Sequence, residues 1–380
     1  MSAINQILEK YEVDRYRGFL PPKDPLTELP DAFTEWENLM KNFSAYINAG
    51  VIRKKIEELK VIENPDLKSK PQLERAMLLL SFFAHAYVHA PPNSKKKIPA
   101  SVALPLIRVA EELKRKPVLS HSSVVLNNWR KIDPNGPIDL SNISTLCQFH
   151  GGLDESWFYL VTVEIEQVGA KAIPLMLDAM KCVEEEEFAE AAELTNQVNK
   201  VLSDLTSSLK KVYNYCDPHT FYLRVRPFLA SFESIEYQGT SLPLQSHHGG
   251  SAAQSSVLQF FDAAFGVEYQ RKATSDYLRL MRQHMPYKHA AFLDHIEKAS
   301  TIKTYISKNR ELEEAYKEGI ERLIEFRNEH LKIVALYVMK QAKKTNATAV
   351  GTGGTSPMAF LKNVRNQNDE VFKGVSKYSI

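Results

Sequence analysis

The sequence predicts an all-α protein. Only 15 of its 380 residues are glycine, strict apolar–polar alternation between turn signals is rare, and several long stretches repeat their apolar residues at helical spacing. Length sets a second expectation, because a chain of this size forms one large domain or two unequal ones. A boundary near residues 112–120 divides it into a small N-terminal helical domain (1–115) packed on a larger helical domain (116–380).

The elements follow in order. Pro71 opens a helix from Gln72 to His89, which stops at Pro91-Pro92, where the chain cannot continue a helix. Asn93 to Lys97 reads as a solvated loop, and a second helix covers Ser101 to Lys114, ahead of Pro117. Trp157 to Met180 is strongly apolar. Glu184 to Glu187 reads as the acidic N-terminus of a helix reaching Tyr213, where carboxylates meet the positive end of the helix dipole. Gln238 to Gly250 reads as a surface loop leading into a helix that starts near Ser251. The longest helix spans Arg310 to Lys343, with a break near Gly319. Its apolar stripe (Ile320, Leu323, Ile324, Leu331, Val334, Val338) leaves a gap that Arg327 and His330 fill, so both project from the buried face. Ala342 to Pro357, with Gly351 to Thr355, reads as a mobile loop of a length that often serves function.

Composition excludes several classes. The 48 Lys+Arg and 46 Asp+Glu give a net charge of +2, too balanced for a nucleic-acid or anionic-membrane binder. No apolar run approaches the ~20 residues of a membrane span, and the N-terminus turns charged at Glu9-Lys10 without building a signal-peptide core. Three scattered cysteines (Cys147, Cys182, Cys216) argue against a disulfide scaffold or a sulfur-bound metal centre, and for a reducing cytoplasmic location. The 11 histidines therefore carry the question of metal binding.

His330 on a buried helical face suits either a satisfied core histidine or an axial haem ligand. Arg327, one turn earlier, needs an anion, either a haem propionate or an ordinary carboxylate. His85 and His89 have zinc-clamp spacing, but Ala86 stands where the metalloprotease pattern needs Glu, so packing is the better reading. His247-His248 reads as part of a solvated loop. Gly351 to Thr355 lacks the lysine of a Walker loop and suits a hinge or lid. The small residues from Gly249 to Ser256 allow close approach of a helix or a planar ligand. In Phe221 to Phe228, Arg226 among aromatic residues suits an amino-acid ligand, its guanidinium taking the carboxylate and a ring packing on the ligand's aromatic group.

Six strings in order resemble the indoleamine 2,3-dioxygenase family of haem enzymes: Ser122 to Trp129, Phe158 to Glu166, Phe221 to Phe228, Gly249 to Ser256, Arg327 to Val334 and Gly351 to Thr355. The resemblance implies a small N-terminal helical domain over a larger haem-holding one. It implies haem b, ferrous in the active form, with His330 as proximal iron ligand and Arg327 and Asp262 as a polar pair near it and the propionates. Ser251 and Ala252 match the edge of the haem pocket, Phe158 and Thr162 the distal wall, and Thr352 the loop that closes over substrate. Phe221 and Arg226 match the residues that pack on the indole and hold its carboxylate. Two departures stand out: Tyr222 replaces a second Phe of the vertebrate enzymes, and His121 replaces a Tyr on the substrate side. The implied reaction joins O2 and L-tryptophan, or another indoleamine, to give N-formylkynurenine, with an electron donor to reduce ferric haem. A non-catalytic, oxygen-binding haem protein is the rival reading, but such a carrier has no need of Arg226 or the Gly351–Thr355 loop.

Overall fold

The computed structural model describes residues 3–345, 351–352 and 357–376, and it is helical nearly throughout. Its longest helices are Lys70–His89, Leu153–Ala170, Phe188–Lys210, Arg310–Val334 and Pro357–Ser376. Strands are short and peripheral. Phe232–Tyr237 pairs in parallel with Lys97–Ile98 and antiparallel with Gln245–His247, and Trp129–Lys131 pairs antiparallel with Ile143–Thr145. One apolar core runs from Ile4 to Val371, and Leu113, Val118 and Leu119 belong to it. A second, smaller cluster joins Tyr222, Val334, Val338 and Ala342 to Met358 and Leu361.

Sequence expectations and structure agree on the helices from Lys70 to His89 and from Ala100 to Glu112. The apolar stretch from Trp157 is two helices, Leu153–Ala170 and Ala172–Glu184, broken at Lys171. Expectation and structure differ at three places. The acidic run does not open a helix: Glu184 ends one, Glu186 takes a left-handed conformation at φ 60°, and the next begins at Phe188. The expected loop before Gly250 contains the strand Gln245–His247, and the helix expected at Ser251 is a 3-10 turn followed by a helix from Ser256.

The third difference concerns the longest helix. The Arg310–Val334 helix passes through Gly319 without a break. A Cβ there would lie 2.5 Å from the Phe265 ring and 2.8 Å from Asn199 Oδ1, so glycine serves close packing rather than a hinge. Asn199 holds the same junction by donating to the Ala315 carbonyl at 2.9 Å. Irregularity comes later instead, as a π-helical turn at Ala335–Met339. Two more such turns lie at Ser122–Leu126 and Phe221–Val225. π turns concentrate at functional sites because the extra residue swings side chains off the regular helical face.

Burial makes many histidines neutral. His284 and His289 are 2% and 5% exposed, and burial pushes their imidazoles down to about 4 and about 3. An unfolded histidine takes its proton near pH 6.5, whereas these do so only when the fold is far more acidic. Their contribution to stability is therefore complete above about pH 6.5 and is lost as pH falls toward 4. Each group lowers stability by about 1.4 kcal/mol per pH unit inside its window. Glu155, raised by burial to about 7, acts in the opposite sense as pH rises, but His89, His150 and His247, each lowered by burial to about 4, add to the acid loss. Urea midpoints measured at pH 7.5, 5.5 and 4.5 should fall steadily; a flat profile contradicts the account.

Candidate active site

The three π turns and three of the long helices converge on one cavity of about 1140 Å³, its open mouth included. Nine of the residues singled out in the sequence line it: His121, Phe158, Thr162, Phe221, Arg226, Ser251, Ala252, His330 and Thr352. Arg327 and Asp262 do not line it. They meet behind it, with the Arg327 guanidinium donating to the Asp262 carboxylate and to Asn368 Oδ1. Tyr269 donates to the other oxygen of Asp262. Of the two anions considered for Arg327, the structure shows the carboxylate.

His330 projects from the Arg310–Val334 helix into the cavity, and among the described residues neither of its ring nitrogens has a hydrogen-bond partner. Burial, with the charge of Arg327 adding to it, pushes the imidazole down to about 4. At neutral pH the ring is therefore an uncharged base with its lone pair available, the form in which imidazole binds a metal. The wall from Gly250 through Ser251, Ala252 and Ala253 carries only small side chains, and a Cβ on Gly250 would meet nothing closer than 4.0 Å. A flat macrocycle ligated by His330 fits this combination of a neutral imidazole and a low wall.

The rest of the cavity is apolar by arrangement as well as by composition. Phe158 and Phe221 lie 4.4 Å apart between centroids with their planes tilted by 44°, and Phe221 meets Tyr337 edge-on at 5.9 Å. Two of the three tyrosines of the wall spend their hydroxyls elsewhere: Tyr337 donates to the Cys216 carbonyl at 2.6 Å and Tyr159 to Glu155 Oε1 at 3.0 Å. Thr162 turns its hydroxyl back to the Phe158 carbonyl at 3.1 Å. Arg226 introduces a cation, its guanidinium 5.4 Å from the centre of the Tyr222 ring, and burial lowers its pKa. Thr352 is anchored through its carbonyl, which accepts from Ser231 Oγ at 2.7 Å and Gly249 N at 3.2 Å. Gly353 to Thr355 lie outside the described residues.

The other histidine readings divide. His85 is a packed residue: Nδ1 lies 2.7 Å from the Phe228 carbonyl, and Nε2 accepts from Leu119 N at 3.1 Å. His247, expected in a solvated loop, is half-buried on a strand against Tyr237, and its Nε2 is sealed without a partner. Sequence reasoning gave no role to Val124, Val125, Tyr159, Tyr337, Phe360 or Leu361, all of which line the cavity. Tyr159 lay inside a matched string, whereas Phe360 and Leu361 arrive from the C-terminal helix, whose packing no local pattern announces.

An all-α fold with a neutral helical imidazole, a low wall of small residues and a half-buried guanidinium beside aromatic rings has the groups with which a helical enzyme would hold a planar cofactor beside an amino acid. The family model for indoleamine 2,3-dioxygenase matches residues 7–371, and the chain belongs to that family. Indoleamine 2,3-dioxygenase 1 of Mus musculus is 30% identical, over 96% of this chain and 95% of its own. The indoleamine 2,3-dioxygenase of Saccharomyces cerevisiae is also 30% identical, over 95% of this chain and 92% of its own. A 6-hydroxytryptophan 2,3-dioxygenase of Fusarium equiseti is 31% identical, over 94% of this chain and 96% of its own.

Proposed function

We propose that this protein is a haem dioxygenase that inserts both atoms of O2 across the indole C2–C3 bond of L-tryptophan, or a related indoleamine, to give N-formylkynurenine. The observation that carries the proposal is the convergence of His330, Arg226, Phe158 and Phe221 on one apolar cavity. Haem b, ferrous when active, would supply the binding and activation of dioxygen there. His330 would hold its iron, and Ser251 and Ala252 would border its edge. Asp262 and Asn368 fix Arg327, one turn before His330, and so steady the helix that presents the imidazole. Arg226 would take the substrate carboxylate as a charge-assisted pair, leaving the indole against Phe221 and Phe158. Holding the two reactants together removes much of the entropic barrier. Tyr159 and Tyr337 spend their hydroxyls away from the reacting face and so offer it only their rings.

Every described residue lining the cavity falls within 121–361. In this reading residues 116–380 hold haem and substrate, and residues 1–115 form a smaller helical cover. The free cysteines suit a reducing cytoplasm, which would also supply the electron donor that ferric haem needs. The test is direct: the haem-loaded, reduced protein is given L-tryptophan and oxygen, and N-formylkynurenine is measured. Stoichiometric product with both oxygens drawn from 18O2 is expected. A Soret band without product would leave an oxygen binder.

A further inference from the structure

His121 is held in a way that the proposed reaction does not use. It precedes the π turn Ser122–Leu126, and its backbone N–H donates to Gln254 Oε1 at 2.9 Å. Its Nε2 lies 2.8 Å from Glu166 Oε1. That same oxygen accepts from Ser255 Oγ at 2.7 Å, so Glu166 serves as acceptor to both neighbours. A neutral imidazole in this place would turn its N–H at Nε2 toward that oxygen and keep its lone pair on Nδ1. His121 and Glu166 are 4% and 1% exposed, so solvent does not scramble the arrangement. Among the described residues Nδ1 has no partner, yet it is not one of the sealed polar atoms. The space its ring borders is the cavity.

Two features decide which end of a ligand meets it. A carboxylate is repelled by Glu166 behind the imidazole and drawn to Arg226. Arg226 and His121 also belong to different walls. Arg226 lies over Tyr222, which packs with Val334, Val338, Met358 and Leu361, whereas His121 is tied to Gln254, Glu166 and Ser255. An amino acid anchored at Arg226 therefore offers its ring to the other wall. In the apolar cavity an acceptor oriented by a carboxylate discriminates strongly, because a ligand lacking the matching donor leaves it bare.

We propose that His121, oriented by Glu166 and Ser255, is a specificity-determining residue that accepts a hydrogen bond from the ring end of the substrate, so that the site selects indoles carrying a polar ring hydrogen. This rests on the indole-binding reading above. The hydrogen comes either from the indole N1–H or from a hydroxyl on the benzo ring.

Calorimetric binding to the haem-loaded protein distinguishes the two with three ligands: L-tryptophan, 1-methyl-L-tryptophan and 6-hydroxy-L-tryptophan. In His121→Phe, a loss of about tenfold for tryptophan but not for its 1-methyl analogue assigns N1–H. A loss of that size confined to the hydroxylated ligand assigns the ring hydroxyl. His121→Gln keeps an acceptor and should recover part of the preference, which a merely structural role would not. Equal changes for all three ligands, whether none or large, overturn the proposal. A wild-type protein that binds all three but forms no N-formylkynurenine fails the reaction reading and leaves the subsite measurable.

Discussion

The His330→Ala protein is expected to fold normally and to fail to hold haem. The imidazole has no hydrogen-bond partner among the described residues and faces the cavity rather than the core. Its removal therefore breaks no internal contact of consequence, and far-UV circular dichroism should be unchanged. What is lost is the proposed bond to iron. Substitutions in the groups that merely orient a metal ligand cost roughly 10–100-fold in affinity, so loss of the ligand itself should exceed that range. Titrating apoprotein with hemin and following the Soret band measures it. Added imidazole should restore the band, because the truncation leaves a space of the missing ring's shape. Wild-type hemin affinity in the alanine variant would sink the ligand assignment. In Asn368→Leu, which frees one side of Arg327, haem should be retained with weakened affinity, since only the support of the helix changes.

The inward placement of His330 was legible because helical periodicity is a local property: spacing along one helix tells which side chains share a face. Arg327 was placed inward by the same spacing, but its partners, Asp262 and Asn368, lie 65 and 41 residues away, and spacing along a chain says nothing about such meetings. Gly319 misled for a related reason. Within one helix a glycine is a weak point, and only the approach of Phe265 and Asn199 shows that the missing side chain makes room. The π turns were likewise hidden, since no residue type marks an inserted position in the way proline or glycine marks a turn. Glu166 stood in a matched string with no role to suggest. It acquires one only when the fold brings it to His121 and Ser255.

Arg226→Ala should leave haem content intact and reduce turnover of tryptophan severely. The guanidinium is half-buried, which lowers its pKa, and the Tyr222 face lies 5.4 Å away. In such a setting a carboxylate and a guanidinium attract each other far more than they do in water, and their two parallel hydrogen bonds fix orientation as well as affinity. Removing one partner of a desolvated pair costs about 2–5 kcal/mol, roughly 30-fold to several thousandfold, and should appear in kcat/KM for L-tryptophan. Arg226→Lys supplies a point charge without the planar fork and should recover only part of the loss. The decisive comparison uses tryptamine, which has the indole and the amine but no carboxylate. If Arg226 binds the carboxylate, tryptamine turnover is poor in the wild type and little changed by the alanine substitution. Equal proportional losses for both substrates would instead mean that Arg226 shapes the cavity as a whole, and full tryptophan turnover in the variant would end the carboxylate assignment. A protein that only bound oxygen would gain nothing from a desolvated cation in its pocket, so the size of this one effect separates an amino-acid enzyme from an oxygen carrier built on the same helices.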